Sequence, residues 1–453
     1  MACRVSLGQL IKILGATSLN LSDDILPLLA TGMVTDSRNV QPTQVFLALR
    51  GERFDGHGFV LAAIQQGAIA AIVDHIVDQS VSTHLPLILV KDTLQAYQAI
   101  ARWWRDQFQI PVIAITGSVG KTTTKEMIAA VLSTQGHVLK TQANHNNEIG
   151  VPQTLLQLEP NHDYAVIEMG MRASGEIALL TQIARPDIAV ITNVGTAHIG
   201  RLGSEQAIAN AKCELLQELR PTGVAILNHD NARLISTAAK VWQGKTITYG
   251  LEGGDLQGEL VEPGILRVAG MTLPLPLPGR HNALNYLAAL AVAKALHLNW
   301  LSLAQGISVE LPKGRAHRLE LPNDIVILDE TYNAGLESMA AALQLLAETP
   351  GHRRIAVLGT MKELGDRSLE FHHQIGTLAR HLNLDLLLIL AEEAESQAMA
   401  SGADPLASEQ FSHPDEVVIR LRQMVKAGDR LLFKASRAVG LDRVVEAFVK
   451  NEA

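Results

Sequence analysis

The residues whose types and spacing most clearly suggest chemistry lie in one run, VIAITGSVGKTTTKEMIAAVL at 112–132. An apolar strand is predicted first and a helix last, and the loop between them consists of Gly117, Ser118, Val119, Gly120, Lys121, Thr122 and Thr123. Glycines let backbone N–H groups face phosphate oxygens, and the helix N-terminus adds its positive end. Lys121 can reach the β and γ phosphates, and the Thr122 hydroxyl can coordinate Mg²⁺. We therefore predict a nucleotide phosphate site.

This loop is shorter than the usual G-x-x-x-x-G-K-[ST] pattern, because Ile115 stands where the first glycine would be. It has the tighter form G-x-x-G-K-T. The alternative interpretation is an ordinary strand-to-helix turn that carries a surface lysine. Strand, loop and helix all occur where phosphate binding needs them, which favours the nucleotide site.

Three further side chains follow predicted strands or lie in a helix of the same region. Glu168 ends YAVIEM, His198 comes just after DIAVITNVG, and Lys212 lies in AIANAKCELLQEL. Open α/β sheets gather their sites at the carboxyl ends of strands, so the carboxylate and the imidazole could hold a second Mg²⁺ near the phosphates. A salt-bridged glutamate and a hydrogen-bonded histidine remain the alternatives from spacing alone.

Short apolar runs alternate with helix-like stretches along most of the chain, which predicts an α/β fold built from parallel sheets. Many runs are bounded by Gly, Pro, Asn or Asp and are apolar on both faces, as strands covered on both sides should be. The predicted strands are 112–116, 164–169, 187–192, 223–228, 325–330, 353–359, 384–390 and 430–436.

Two stretches indicate domain junctions. One lies at about 90–111, where an amphipathic segment leads into the phosphate-loop strand, and the other is the Pro- and Gly-bearing segment 311–324. A chain of 453 residues is also too long for one ordinary core. We predict three domains, at 1–91, 92–313 and 314–453.

Charge and cysteine content limit the classes of partner and compartment. The net charge is −8 with mixed signs, whereas nucleic-acid binders select a basic face. Only Cys3 and Cys213 occur, which disfavours a disulfide framework. Neither a signal peptide nor a membrane span is recognisable. We expect a soluble cytoplasmic monomer that binds small molecules, without nucleic-acid partners or membrane insertion.

These motifs resemble those of the Mur ligase family, in order along nearly the whole chain. TGSVGKTT resembles the family phosphate loop, and GRAHRLE at 314–320 carries the family arginine. Further matching blocks are VTDSRNVQPTQVFLALRGERFDGHGF, NHNNEIGVP, EMGMRASGEI, TNVGTAHIGRLGS, AKCEL, LPGRHNALNYLAALAVA and ILDETYNAGLESMAAAL. The chain departs from the family pattern, away from the phosphate and metal positions, at Thr43, Gln44, Glu330, Gly335, Leu336 and Ala435.

The resemblance implies a three-domain architecture with a P-loop central parallel sheet, a UDP-sugar-binding N-terminal domain and a Rossmann-like C-terminal domain for the incoming dipeptide. It implies ATP contacts at the phosphate loop, Asn282 and Arg315. The implied Mg²⁺ ligands are Thr122, Glu168, His198 and a carbamylated Lys212. Lys121, His198, Lys212 and Asp329 would be catalytic, with Asp329 near the γ-phosphate.

Substrate contacts are implied on all three domains. Ser37 and Arg38 would hold the uridine nucleotide, and Tyr332 and Asn333 would face the dipeptide. The growing peptide would lie near Asn144, Asn146 and Asn147.

Within the family, GTMKELGDRS at 359–368 is similar to the branch that adds D-alanyl-D-alanine to UDP-N-acetylmuramoyl-tripeptide. The implied reaction is ATP-dependent amide formation through an acyl phosphate. One rival is a folate polyglutamate synthase, which would have no use for the DSR-bearing N-terminal domain. The other is a P-loop switch or transport ATPase, which would need no second metal cluster.

Overall fold

The computed structural model describes residues 3–51, 54–76 and 84–450. Glu52 and Arg53, which belong to the motif at 34–59, lie outside the described residues. Three mixed or parallel sheets follow one another along the chain, each flanked by helices. The predicted α/β class is therefore confirmed.

The first sheet lies within the described part of residues 17–89 and is parallel except for its first edge strand. In spatial order its strands are Thr17–Leu19, Leu87–Leu89, Ala70–Val73, Val45–Leu47 and Met33–Val34. A small antiparallel pair joins Val5–Ser6 to Leu29–Ala30. The helices described here are Leu7–Leu14 and Val60–Gln65, with 3₁₀ turns at Ser37–Asn39 and Gly56–Phe59.

The central sheet has nine strands within the continuously described residues 84–450. Their spatial order is Met271–Pro274, Ile265–Val268, Leu256–Glu262, Lys245–Gly250, Val224–Asn228, Ile188–Ile191, Val112–Thr116, Tyr164–Glu168 and Val138–Lys140. The last seven pair in parallel, and the first two add antiparallel strands at the edge. Its helices are Thr93–Arg105, Lys121–Leu132, Gly150–Leu155, Glu176–Ala184, Ile199–Leu202, Glu205–Gln217, Ala232–Val241 and Arg280–Ala295.

The third sheet has six strands, counted over the same continuous stretch, and only its first edge strand is antiparallel. The order is His317–Leu321, Ile325–Asp329, Asp429–Lys434, Arg353–Gly359, Leu386–Leu390 and Ser408–Phe411. Its helices are Leu336–Glu348, Ser368–His381, Glu393–Ala403, Pro414–Met424 and Leu441–Val449. The 3₁₀ turns are Leu301–Gln305, Pro322–Asp324, Gly365–Arg367 and Arg437–Val439.

Burial on both faces explains why the apolar runs are strands. Val112–Thr116 and Ile188–Ile191 are buried along their whole length, between helices on either side of the central sheet. Every strand predicted from an apolar run is confirmed to within three residues at either end. The antiparallel strands of 256–274 were not predicted, because alternating exposed residues and turns interrupt their apolar pattern.

Local capping fixes where the helix between the first two sheets begins. The Asp92 side chain accepts a hydrogen bond from the Gln95 backbone N–H at 2.8 Å, as an N-cap residue should. The helix Thr93–Arg105 then buries Ala96, Tyr97 and Ile100 against the core. Across the described ranges, no helix combines the length and the apolar character that a bilayer crossing requires. The domain limits at 91/92 and 313/314 stay a prediction.

Candidate active site

A cleft of about 990 Å³ lies where the central and C-terminal sheets face each other. The central sheet supplies the phosphate loop and the loops after its neighbouring strands, and the C-terminal sheet supplies the loops after its own strands. Predicted site residues that line it are Ser118, Val119, Gly120, Lys121, Thr122, Thr123, Asn144, Asn146, Asn147, Glu168, His198, Asn282, Arg315, Tyr332 and Asn333.

The phosphate loop needs its two glycines for space and for backbone conformation. Gly120 has a left-handed φ of 81°, and a Cβ there would lie 2.7 Å from Asn285 Oδ1. A Cβ on Gly117 would overlap the Thr192 hydroxyl oxygen. The helix Lys121–Leu132 starts directly after Gly120, so its free N–H groups face the cleft.

The loop that follows the neighbouring strand Ile188–Ile191 holds the phosphate loop in shape. The Val119 backbone N–H donates to Asn193 Oδ1 at 3.0 Å, and the Thr192 hydroxyl donates to Val119 O at 2.6 Å. The Gly195 N–H donates to Ser118 Oγ at 2.9 Å. A loop tied at three points is preorganised, so little ordering remains to be done when an anion binds.

Lys121 is the cation closest to this loop. Its ammonium donates to Gly117 O at 2.8 Å and is 3.4 Å from Ser118 O. Burial lowers the pKa of Lys121 from its ordinary value, which Arg315 reinforces and Glu168 opposes. The ammonium thus rests on neutral carbonyls, which an incoming phosphate oxygen can replace.

Glu168 is buried at the end of its strand, beside the phosphate loop. Its Oε1 accepts from Asn146 Nδ2 at 2.8 Å and from the Thr122 hydroxyl at 3.3 Å. Its Oε2 is buried and accepts no hydrogen bond from the described residues; the Lys125 ammonium lies 3.8 Å away. A buried carboxylate oxygen without a donor is costly unless something else binds it. Together with the Thr122 hydroxyl it is suited to a hard divalent cation.

His198 and Lys212 are the two remaining candidates for the metal site. His198 Nδ1 is 2.6 Å from Glu363 Oε2, a carboxylate from the C-terminal sheet. Burial lowers the pKa of His198, and the charge of Lys121 acts in the same direction. Lys212 is 1% exposed, and its ammonium has no hydrogen bond or ion pair within the described residues. Burial, followed by the charge of Lys121, brings the pKa of Lys212 well below its ordinary value.

The start of the long apolar helix Arg280–Ala295 also lines the cleft. Asn282 Nδ2 donates to Pro278 O at 2.7 Å, and Asn285 Nδ2 donates to Asn282 Oδ1 at 3.2 Å. The Thr124 hydroxyl donates to Asn285 Oδ1 at 3.1 Å. These amides therefore connect the phosphate-loop helix to the helix that begins at Arg280.

Aromatic stacking organises the C-terminal wall. The Arg315 guanidinium lies 4.0 Å from the centre of the Tyr332 ring, and Arg437 lies 5.5 Å from it. Arg315 Nε is buried and has no hydrogen-bond partner in the part of the chain that the structure describes. Lys434 donates to Asn333 O at 3.0 Å. This wall carries several cations that can face an anionic ligand.

Some predicted residues lie outside the lining of the cleft: Gly117, Lys212, Asp329, Ser37 and Arg38. Asp329 is buried and accepts from the Thr331 hydroxyl at 2.6 Å, so its carboxylate caps a turn.

The uridine candidates lie apart, on the first sheet. The Arg38 side chain is 86% exposed and pairs with Asp36 at 2.7 Å. The hydrogen bond from the Arg38 side chain lowers the pKa of Asp36 to about 2. Their roles stay predictions.

Two carboxylates that reach across from the C-terminal sheet lie in motifs quoted above, but the sequence assigned them no contact. Glu337, in the first turn of its helix, accepts from the Thr196 N–H at 2.6 Å. Glu363 meets His198, as described above. Each contact joins residues more than 140 positions apart, so no local pattern could indicate it.

Three family models match consecutive parts of the chain. They are the Mur ligase family catalytic domain at 30–105, the Mur ligase middle domain at 115–293, and the Mur ligase glutamate ligase domain at 314–437. Together they cover more than half of the chain and reach all three sheets.

Two curated relatives match over almost their full lengths. A UDP-N-acetylmuramoyl-tripeptide--D-alanyl-D-alanine ligase from Synechocystis sp. is 57% identical over 94% of this chain and 93% of its own. The relative of the same name from Escherichia coli is 36% identical over 92% of this chain and 94% of its own.

Two solved structures share the whole architecture. A crystal structure of MurF from Acinetobacter baumannii has a TM-score of 0.90 with 32% identity and covers 99% of both chains. MurF ligase from Thermotoga maritima in complex with ADP has a TM-score of 0.82 with 32% identity, over 93% of this chain and 97% of its own. The similarity extends through all three sheets.

Proposed function

The chain belongs to the Mur ligase family, and we propose that it joins D-alanyl-D-alanine to UDP-N-acetylmuramoyl-tripeptide with the hydrolysis of ATP to ADP and phosphate. The product would be the UDP-muramoyl-pentapeptide precursor of peptidoglycan. The observation that carries this proposal is the cleft itself, in which a phosphate loop faces a C-terminal wall of cations. Relatives that bear this activity in their names match over more than nine-tenths of both chains.

ATP would be bound mainly by backbone groups of the phosphate loop. The N–H groups of Gly117 to Thr123 surround the phosphates, and Lys121 exchanges its carbonyl partners for phosphate oxygens. Asn282 lies where the adenine end would be, and Arg315 adds a fixed positive charge on the opposite wall.

The donor set fits Mg²⁺, which Glu168 Oε2, the Thr122 hydroxyl, His198 and a modified Lys212 would hold. When bound, Mg²⁺ neutralises charge between the phosphates and the substrate carboxylate, two anions that must approach each other. The chain's own contribution is to hold the oxygen donors in a buried site, where they need little rearrangement.

Lys212 would act as a carbamate. A cation beside a metal site repels Mg²⁺, and the lowered pKa of Lys212 leaves more of its amine neutral. The neutral amine adds to CO₂, forming an N–C bond and releasing one proton to water. The product is a carboxylate-like group, which Mg²⁺ prefers to a nitrogen cation.

The reaction would then proceed in two displacements. A terminal carboxylate oxygen of the tripeptide attacks the γ-phosphorus of ATP, giving an acyl phosphate and ADP. The dipeptide amine attacks the acyl carbon, the C–O bond to phosphate breaks, and the amine loses a proton. Lys121 stabilises the negative charge that is transferred in the first step. Asp329, whose carboxylate accepts a hydrogen bond from the Thr331 hydroxyl, would stabilise the C-terminal side of the cleft near the γ-phosphate.

The substrates would occupy three separate surfaces. Ser37 and Arg38 would hold the uridine nucleotide on the residues 1–91 unit, and Tyr332 and Asn333 would contact the dipeptide on 314–453. The peptide would cross the 92–313 unit beside Asn144, Asn146 and Asn147. Ligands held by three units imply hinge closure at the two junctions.

We also propose that the chain acts as a monomer in the cytoplasm and binds no nucleic acid. Its net charge of −8 supports the last point. Cys3 and Cys213 are both buried free thiols, which suits a reducing compartment.

Omission of single substrates tests the proposed activity. Purified protein with ATP, Mg²⁺, UDP-tripeptide and D-alanyl-D-alanine should release phosphate and form the pentapeptide, detected by mass. Both diaminopimelate- and lysine-containing tripeptides should be supplied. Phosphate release that continues without the tripeptide and the dipeptide would instead indicate a P-loop ATPase.

A further inference from the structure

The contact between Glu363 and His198 joins the C-terminal sheet to the metal candidates of the central sheet. Glu363 Oε2 lies 2.6 Å from His198 Nδ1, and Glu363 O accepts the Gly200 backbone N–H at 3.1 Å. Both the side chain and the backbone of Glu363 are therefore engaged. Its φ of 64° is left-handed, which is unusual for a residue with a Cβ. Such strain is retained where the surrounding structure holds it in place.

The two loops approach so closely that glycine is required on both sides. A Cβ on Gly200 would lie 2.6 Å from the Gly365 nitrogen, and a Cβ on Gly365 would lie 2.8 Å from Gly200 Cα. Gly365 also has a left-handed φ of 58°. The contact is thus built by the backbones, and the carboxylate is placed by them.

The loop that carries Glu363 is prepared by its own sheet. The fully buried His372 accepts the Met361 N–H at 2.9 Å through Nε2, and its Nδ1 is 2.7 Å from Ser368 O. Ser436 Oγ accepts the Lys362 N–H at 2.9 Å. The loop therefore has a fixed shape independent of His198.

An ionised carboxylate only accepts hydrogen bonds, so a neutral His198 that binds Glu363 carries its proton on Nδ1. The lone pair then lies on Nε2. Metal-bound histidines commonly donate their other ring N–H to a carboxylate, which fixes the tautomer and the ring orientation.

We propose that Glu363 is a positioning residue for the metal site, which selects the Nδ1–H tautomer of His198 and leaves Nε2 for the ion. This rests on the metal role of His198 in the proposed function. Because the two residues belong to different sheets, the site is complete only while the C-terminal loop is docked. Metal binding and docking then favour each other, as linkage requires.

The alternative is that the contact between Glu363 and His198 only holds the two sheets together. It would then affect docking of the C-terminal loop without fixing the tautomer of His198. The distinguishing measurement is the ¹⁵N spectrum of ring-labelled histidine in the full-length protein, with the His198 signals assigned through His198→Gln. Mn²⁺ affinity, measured by electron paramagnetic resonance, gives a second readout that does not depend on turnover.

Glu363→Ala should turn a single Nδ1–H tautomer into a mixture and weaken Mn²⁺ binding roughly tenfold, the lower end for a lost carboxylate partner. Glu363→Gln should give an intermediate tautomer ratio and an intermediate Mn²⁺ affinity, since the amide oxygen of glutamine can still accept a hydrogen bond from Nδ1–H. Glu370→Ala is the matched control, because this carboxylate pairs with Arg367 on the same segment. It should change neither readout.

An unchanged tautomer and unchanged Mn²⁺ affinity in Glu363→Ala would overturn the proposal. So would unchanged Mn²⁺ affinity in His198→Ala, because His198 would then not be a metal ligand. Pentapeptide formation by the unaltered protein is read separately, so failure here is distinguishable from failure of the ligase function.

Discussion

The phosphate loop and the Ser37–Asn39 turn are both assigned to nucleotide binding, but they are built very differently. The phosphate loop follows a fully buried strand and is tied at three points to the neighbouring loop. The Ser37–Asn39 turn is one short 3₁₀ turn with no buried residue. The side chain of Arg38 is open to solvent and hydrogen-bonds only to Asp36 among the described residues.

This difference distinguishes residues that take part in the reaction from residues that only bind the substrate. Charges act strongly where water is excluded and dipoles are fixed, as around Lys121 and Lys212. An exposed arginine is screened and contributes mainly to affinity. We therefore expect large losses of rate from changes at the loop and modest losses of affinity from changes at the turn.

The largest effect is expected for Lys121→Ala. Losing a preorganised cation at the transferred phosphoryl group should lower kcat by about 10³-fold with the fold intact. Steady-state kinetics with circular dichroism would show this. Lys240→Ala, an exposed lysine of the same unit, serves as the control. Near-normal kcat in folded Lys121→Ala would remove the contrast between the two regions.

Lys212→Ala should lower kcat by about 10²-fold, because an oxygen donor to the metal would be lost. Acetate or propionate should partly restore the rate by replacing the carbamate. Lys240→Ala should show no response to either anion. Full activity of Lys212→Ala, or a loss that no small carboxylate restores, would count against the carbamate.

Gly117→Ala tests whether the loop is dictated by its backbone. The new Cβ would overlap the Thr192 hydroxyl, so the free energy of unfolding should fall by about 2 kcal/mol. ATP affinity should fall with it. Gly58→Ala, where a Cβ meets open space, should change the free energy of unfolding by much less. Equal denaturation midpoints for the two variants would show that the loop adapts.

Arg38→Ala should have the smallest effect, a rise of about tenfold in KM for UDP-tripeptide with little change in KM for ATP. Arg102→Ala, at an exposed site on the first helix of the central unit, is the control. A parallel rise in both KM values would mean that Arg38 supports the fold and does not contact the substrate.

The same contrast explains what the sequence could and could not predict. The phosphate loop was predicted residue by residue, because strand, glycines and helix are adjacent in the chain. Glu168 and His198 were placed near it because parallel strands end at one edge. The contacts of Glu337 and Glu363 were not predicted although both residues lie in recognised motifs, since their partners come from another sheet and only tertiary packing brings them together.

Asp329 illustrates a second limit of prediction from the sequence. The resemblance to the family implied a place near the γ-phosphate, and in the structure the Asp329 carboxylate accepts hydrogen bonds from the backbone N–H and the hydroxyl of Thr331. An aspartate can bond to the backbone two residues on, and that local choice competes with any role in the cleft. Sequence position alone does not decide between the two.

Oxygen transfer from the tripeptide to phosphate tests the central claim most directly. The terminal carboxylate of UDP-tripeptide would be labelled with ¹⁸O and converted with ATP and D-alanyl-D-alanine in a single turnover. An acyl phosphate requires that one labelled oxygen leaves with inorganic phosphate and one stays in the new amide, both measurable by mass. Labelled phosphate is the result we predict. Unlabelled phosphate, with the departing labelled oxygen found in AMP or in water, would contradict the account.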